Sequence, residues 1–95
     1  MKFIASRLSK GNKMFPAEII TEENGIKVKI PGFFSGNTQF ISYEKISSVE
    51  VDSPMIGFST LTFFHDGNKV EVHGFSKSDA ETIQVEIEKG KKNNK

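Results

Sequence analysis

Residues 59–73 read Ser-Thr-Leu-Thr-Phe-Phe-His-Asp-Gly-Asn-Lys-Val-Glu-Val-His, and this stretch decides the fold class. Asp66-Gly67 supplies two residues that tolerate positive φ, which a type I′ hairpin turn demands. With that turn in place, Phe63 faces Val70 and Leu61 faces Val72. Thr62 then opposes Glu71, and Phe64 opposes Lys69, on the other side. The inward and outward sets agree on both strands, as a hairpin with one buried face requires.

A helix follows directly. Ser76 and Asp79 fit a capping box, with Asp in place of the usual Glu, and Phe75 is placed to staple onto Ala80. Ser78 with Glu81 is a competing cap two residues on. Ala80, Ile83 and Ile87 recur at helical spacing and make a narrow apolar stripe that must cover something. Gly90 stands where helices commonly stop, with Lys89 near the negative end of the dipole.

Upstream, Glu22-Glu23-Asn24-Gly25 precedes Ile26-Lys27-Val28-Lys29-Ile30, which alternates strictly. Asn24-Gly25 signals a second hairpin. A two-residue loop sets Ile19 opposite Ile30; a three-residue loop with Gly25 left-handed sets Ile20 opposite Val28. Two shorter strands are expected at Thr38–Ser42 and Lys45–Asp52, the latter with Val49 and Val51 on one face. A weakly patterned opening strand falls near Lys2–Leu8. Pro31-Gly-Phe-Phe-Ser-Gly-Asn37 reads as a loop. The total is about seven strands, with Pro16 and Pro54 outside their centres.

Ninety-five residues allow one domain, expected over residues 1–90, with 91–95 as a basic, flexible tail. Thirteen Lys and Arg against twelve Asp and Glu give a formal charge of +1, and four of the thirteen lie in the last seven residues. The remaining body is slightly acidic, which argues against a nucleic-acid-binding surface. The chain has no Cys, so disulfides and thiolate chemistry are excluded. Only three consecutive apolar residues occur near the start, too few for a signal peptide or membrane span, so a cytoplasmic location is expected.

Four segments carry a family resemblance: Met14-Phe-Pro-Ala-Glu-Ile19, Ile41-Ser-Tyr-Glu-Lys-Ile-Ser-Ser-Val49, Gly57-Phe-Ser-Thr-Leu-Thr62 and His73-Gly-Phe-Ser-Lys-Ser-Asp-Ala80. Together with the strand count and terminal helix, they resemble the short bacterial pleckstrin-homology-like (PH-like) domains, from about Met14 to the end of the helix. The resemblance implies a mainly β fold, a sandwich or partly open barrel of about seven antiparallel strands with one C-terminal helix plugging an end. It also implies a non-enzymatic scaffold that binds lipids, peptides or other copies of itself, since some bacterial members form rings through strand edges. Eukaryotic lipid-binding members carry basic residues around the first hairpin. Here Lys27 and Lys29 are candidate weak anion contacts, but Glu22 and Glu23 beside them would repel a phosphorylated headgroup.

No motif reads as catalytic, and no cofactor is expected. With His65 beside the turn and His73 paired to Thr60, the two histidines point to opposite faces roughly 17 Å apart at the strand rise. They cannot share a metal, and both are expected to be partly exposed. Ser59, Asp66 and Asp52 occupy turns and strand edges rather than a nucleophile–base–acid cluster. The glycines form neither a phosphate loop nor a dinucleotide fingerprint.

The candidate partner contacts are apolar. Phe33-Phe34 sits in a Gly-flanked loop, where one ring either anchors the loop over the core or joins an exposed aromatic contact. Met55-Ile56-Gly57-Phe58 either crosses from one sheet to the other or forms an interface for a second copy. A binding or self-assembly module with a protein partner is the leading expectation. A peripheral binder of anionic membrane using Phe and Lys is second, and a small-barrel nucleic-acid binder is third.

Overall fold

The computed structural model describes residues 1–6, 16–30 and 37–93. Seven antiparallel strands are followed by one helix: β1 (Lys2–Ile4), β2 (Glu18–Thr21), β3 (Gly25–Ile30), β4 (Asn37–Ser42), β5 (Ile46–Asp52), β6 (Ser59–His65), β7 (Asn68–Phe75) and α1 (Lys77–Asn93). Strands β1-β2-β3-β4 form one sheet and β5-β6-β7 the other. A single 3-10 turn, Tyr43–Lys45, links the two. The fold is the mainly β architecture expected from the sequence, as an open sandwich rather than a closed barrel.

The β6–β7 hairpin forms in the expected register, with Phe63↔Val70, Leu61↔Val72, Thr62↔Glu71 and Phe64↔Lys69. Asp66 and Gly67 have φ of 49° and 77°, so both adopt the left-handed region that this turn needs. The ladder then slips at its far end, where Ser59 pairs with Phe75 but Thr60 pairs with His73. Gly74 is the extra residue of this bulge and has φ 117°. Its carbonyl, spared from the ladder, accepts the backbone N–H of Ser6 at 2.8 Å. That bond joins the edge of the second sheet to the chain just beyond β1.

The β2–β3 hairpin takes neither of the two expected registers. Ile19 pairs with Val28 and Thr21 with Ile26, and Glu22 N–H donates to the Gly25 carbonyl at 2.8 Å. The turn is therefore centred on Glu23-Asn24, and neither Asn24 nor Gly25 has positive φ. Gly25 is small for a different reason. A Cβ there would meet the Ile41 carbonyl oxygen, the Phe40 ring and the Ser42 Cα, all on β4. Close approach of a third strand, not turn geometry, excludes a side chain.

Alternation puts Phe3, Ile19, Ile26, Val28 and Ile41 on the inner face of the first sheet, and Leu61, Phe63 and Val72 on that of the second. All are buried, and each such side chain stabilises the fold by about 1.5–3 kcal/mol. Helix α1 closes the core with Ala80, Ile83 and Ile87, each fully buried. Of the two competing caps, Ser76 is used: its Oγ accepts the Asp79 N–H at 3.1 Å, and its carbonyl accepts from Ala80.

The helix passes through Gly90 instead of stopping there. A Cβ at Gly90 would strike the ring of Tyr43, which packs directly on the helix backbone. A mid-helix glycine costs about 1 kcal/mol, and here the contact with Tyr43 offsets it. Lys91 Nζ then donates to the Ser47 carbonyl at 3.2 Å. Residues 91–93 thus continue the helix. No helix among the described residues is long and apolar enough to cross a membrane.

Candidate interaction surface

Strand β5 ends at Asp52, and the chain returns at Ser59 as β6. These two strands are neighbours in one sheet, so residues 53–58 do not cross between sheets, as one sequence reading had it. They form a hairpin loop. Its base is fixed by a 2.7 Å hydrogen bond between the Ser53 and Ser59 hydroxyls, with Ser59 fully buried. Gly57 turns the chain at φ 112°. Phe58 is half-buried, while Met55 and Ile56 are 103% and 91% exposed. An anchored loop that leaves two large apolar side chains wholly in water needs an explanation other than folding.

The open sheet edges differ in character. Among the described residues, neither β4 nor β5 has a second strand beside it. The outer side of β5 is covered by the helix: Gln84 Nε2 donates to the Val49 carbonyl at 3.4 Å, and Lys91 to that of Ser47. Strand β4, Asn-Thr-Gln-Phe-Ile-Ser, carries no charge and no proline, and Phe40 on it is 51% exposed. It lacks the charges and the proline with which edge strands often discourage pairing.

Lys27 and Lys29 lie on the outer face of the first sheet. Lys27 pairs with Glu22 at 3.7 Å, Lys29 with Glu18 at 3.7 Å, and Lys2 with the same Glu18 at 3.1 Å. An anion docking there would compete with carboxylates already in place. Phe33 and Phe34 lie outside the described residues.

The histidines occupy opposite faces, as the register predicts, but only His73 is exposed; its Nδ1 and the Thr60 hydroxyl share a 2.8 Å hydrogen bond. His65 is buried at 8% exposure, which corrects the expected partial exposure. It ends the inward series Ser59, Leu61, Phe63, His65, so strand parity carries its ring under the sheet despite the adjacent turn. Its Nε2 has no hydrogen-bond partner among the described residues. Among the described residues, no group of three or more His, Asp or Glu is placed to hold a metal ion.

Tyr43 was missed in the sequence as a structural centre. Its hydroxyl donates to the Glu22 carbonyl at 2.6 Å, tying the 3-10 turn to the first hairpin. Burial, reinforced by the Glu86 and Glu22 carboxylates, raises its phenol above the usual value of 10.0. The folded state therefore holds the proton more tightly than the unfolded chain. The associated stability is complete below about pH 10 and is lost as pH rises through the folded-state value. Wild-type protein should show an alkaline fall in melting temperature that is reduced in Tyr43→Phe; equal alkaline slopes for both would refute this.

Comparison with protein-family profiles, curated proteins and solved structures finds no match to this chain.

Proposed function

We propose that this chain is a non-catalytic PH-like module for binding or self-assembly, acting through the Met55–Ile56 loop and the open β4 edge. The observation that carries this is the near-complete exposure of Met55 and Ile56 on a loop whose base is fixed. Methionine is among the residue types that interfaces enrich, and the buried centre of an interface is more apolar than its rim. Two sheets of consecutive antiparallel strands closed by a C-terminal helix support the PH-like reading. An uncharged β4 supports strand-edge pairing as a second contact. A cytoplasmic location accompanies this proposal.

A second reading, docking on anionic membrane, has less support. The residue leading into the loop is Asp52, whereas Lys27 and Lys29 lie on a sheet face in pairs with carboxylates. A nucleic-acid surface meets the same objection.

Light scattering over a range of concentrations tests the proposal. The weight-average mass of the wild type should rise with concentration, and Met55→Ser/Ile56→Ser should weaken that association by at least about tenfold, the loss of roughly 1.4 kcal/mol. Because both side chains are solvent-exposed, the variant should keep its melting temperature. An unchanged mass profile, together with unchanged partner capture, would remove the loop from the interface. Co-sedimentation of wild type, but not the variant, with anionic vesicles would favour the membrane instead.

A further inference from the structure

Backbone parity decides which groups of β4 are free. Tyr43 N–H donates to the Asn24 carbonyl at 3.0 Å, so these two residues form a hydrogen-bonded pair that continues the β3–β4 ladder. Bonded and non-bonded pairs alternate in an antiparallel ladder. Ile41, Gln39 and Asn37 therefore bond to β3, opposite Ile26, Val28 and Ile30. Thr38, Phe40 and Ser42 turn both their N–H and their C=O groups away from β3. Among the described residues no strand lies on that side to receive them, and Thr38, Gln39 and Phe40 are all exposed.

We infer that the occupant of this edge is β4 of a second copy, paired antiparallel about a twofold axis at Phe40. The inference rests on the self-assembly reading above and fixes the partner and register of its strand-edge contact. Centred on Phe40, the pairing sets Phe40 against its own counterpart and Thr38 against Ser42 on either side. Every outward N–H and C=O of the three residues is then satisfied, whereas a centre at Thr38 or Ser42 leaves part of the strand unpaired. Aromatic–aromatic and Thr–Ser neighbours are both favourable across strands. Ser42 Oγ, which has no hydrogen-bond partner among the described residues, gains a hydroxyl opposite it. The other edges are poorer partners. Strand β1 is three residues long and carries Lys2, β5 carries Glu50 and Asp52 beside the helix, and β7 carries Lys69 and Glu71. Only β4 brings no charge to the junction. The contact is isologous, so it closes as a dimer in which the two four-stranded sheets become one.

The test is cysteine crosslinking with light scattering. The chain has no Cys, so an introduced one reports the register alone. Phe40→Cys should give a covalent dimer on mild oxidation, because opposite residues of a bonded pair have Cα atoms about 5.5 Å apart, within disulfide reach. Thr38→Cys alone should not, since its two copies stand on either side of the axis, on the order of 14 Å apart at the strand rise. Mixed with Ser42→Cys, it should crosslink. Phe40→Lys sets like charges opposite each other and should weaken association by more than about tenfold. In Met55→Ser/Ile56→Ser, where the loop contact is removed, the mass should approach twice 10.6 kDa at high concentration and rise no further. Melting curves establish that each variant is folded; if Phe40→Lys is not, the cysteine pattern decides. An oligomer in which Phe40→Cys fails to crosslink, or in which Thr38→Cys alone crosslinks as readily, overturns this contact and leaves the loop proposal standing. A monomer under all conditions overturns self-assembly and this inference together.

Discussion

Gly25→Ala is expected to lower the stability of the domain by about 3 kcal/mol, at the upper end of overpacking costs. An added Cβ would press on the Ile41 carbonyl oxygen and the Ser42 Cα, and only the third neighbour, the Phe40 ring, can swing aside. Two backbone atoms can move only if β3 and β4 separate, which strains the pairing from Gly25↔Ser42 onward. Urea or thermal melting measures the effect, expected as a fall of roughly 12–24 °C for a domain of this size. Gly25→Asn separates crowding from turn geometry. If Gly25 served a left-handed turn, Asn would be tolerated well; crowding makes it worse than Ala. Retention of wild-type stability by Asn would sink the crowding explanation.

Phe63→Ala should cost about 4 kcal/mol, within the usual range for deleting a buried aromatic ring. Phe63 is fully buried on the central strand of its sheet, between Val49 on β5 and Val70 on β7. A domain of this kind has roughly 5–15 kcal/mol in all, so this single change should leave it marginally folded at ordinary temperature. The adjacent Phe64→Ala is the control. Phe64 points outward and is half-buried, so its loss should cost well under half as much. Equal effects from the two would mean that the side-chain parity of β6 is reversed.

The two hairpins show what the sequence makes legible. Asp66-Gly67 specifies its turn through its own backbone preferences, and the flanking residues agree on inside and outside, so local chemistry determines the whole register. At Asn24-Gly25 the same local signal misleads. Gly25 answers to β4, a strand more than ten residues downstream, whose approach no local pattern reveals. Gly90 misleads in the same way: a glycine late in a helix resembles a terminator, but here Tyr43 requires the missing side chain. His65 shows the reverse error, because its parity already implied burial while its closeness to the turn suggested exposure.

For the candidate site, the sequence located Met55 and Ile56 but left open whether they were covered. Pairing of β5 with β6 removes the sheet-crossing alternative. The ion pairs on the outer face of the first sheet were not legible at all. Lys2, Lys27 and Lys29 and the Glu18 and Glu22 carboxylates that hold them come from separate stretches of the chain, and only the ladders bring them side by side.

The order of the strands has one more consequence. Each sheet is built from strands consecutive in the chain, β1 to β4 and then β5 to β7, so every ladder is closed by a local connection. Such pairings require little loop-closure entropy and should form quickly. The helix, whose Ile83 and Ile87 seal the interior, is the last of these elements to leave the ribosome. Until it emerges, the nascent sandwich holds its apolar interior open to water. That interval is when the chain is most exposed to aggregation and most in need of a chaperone.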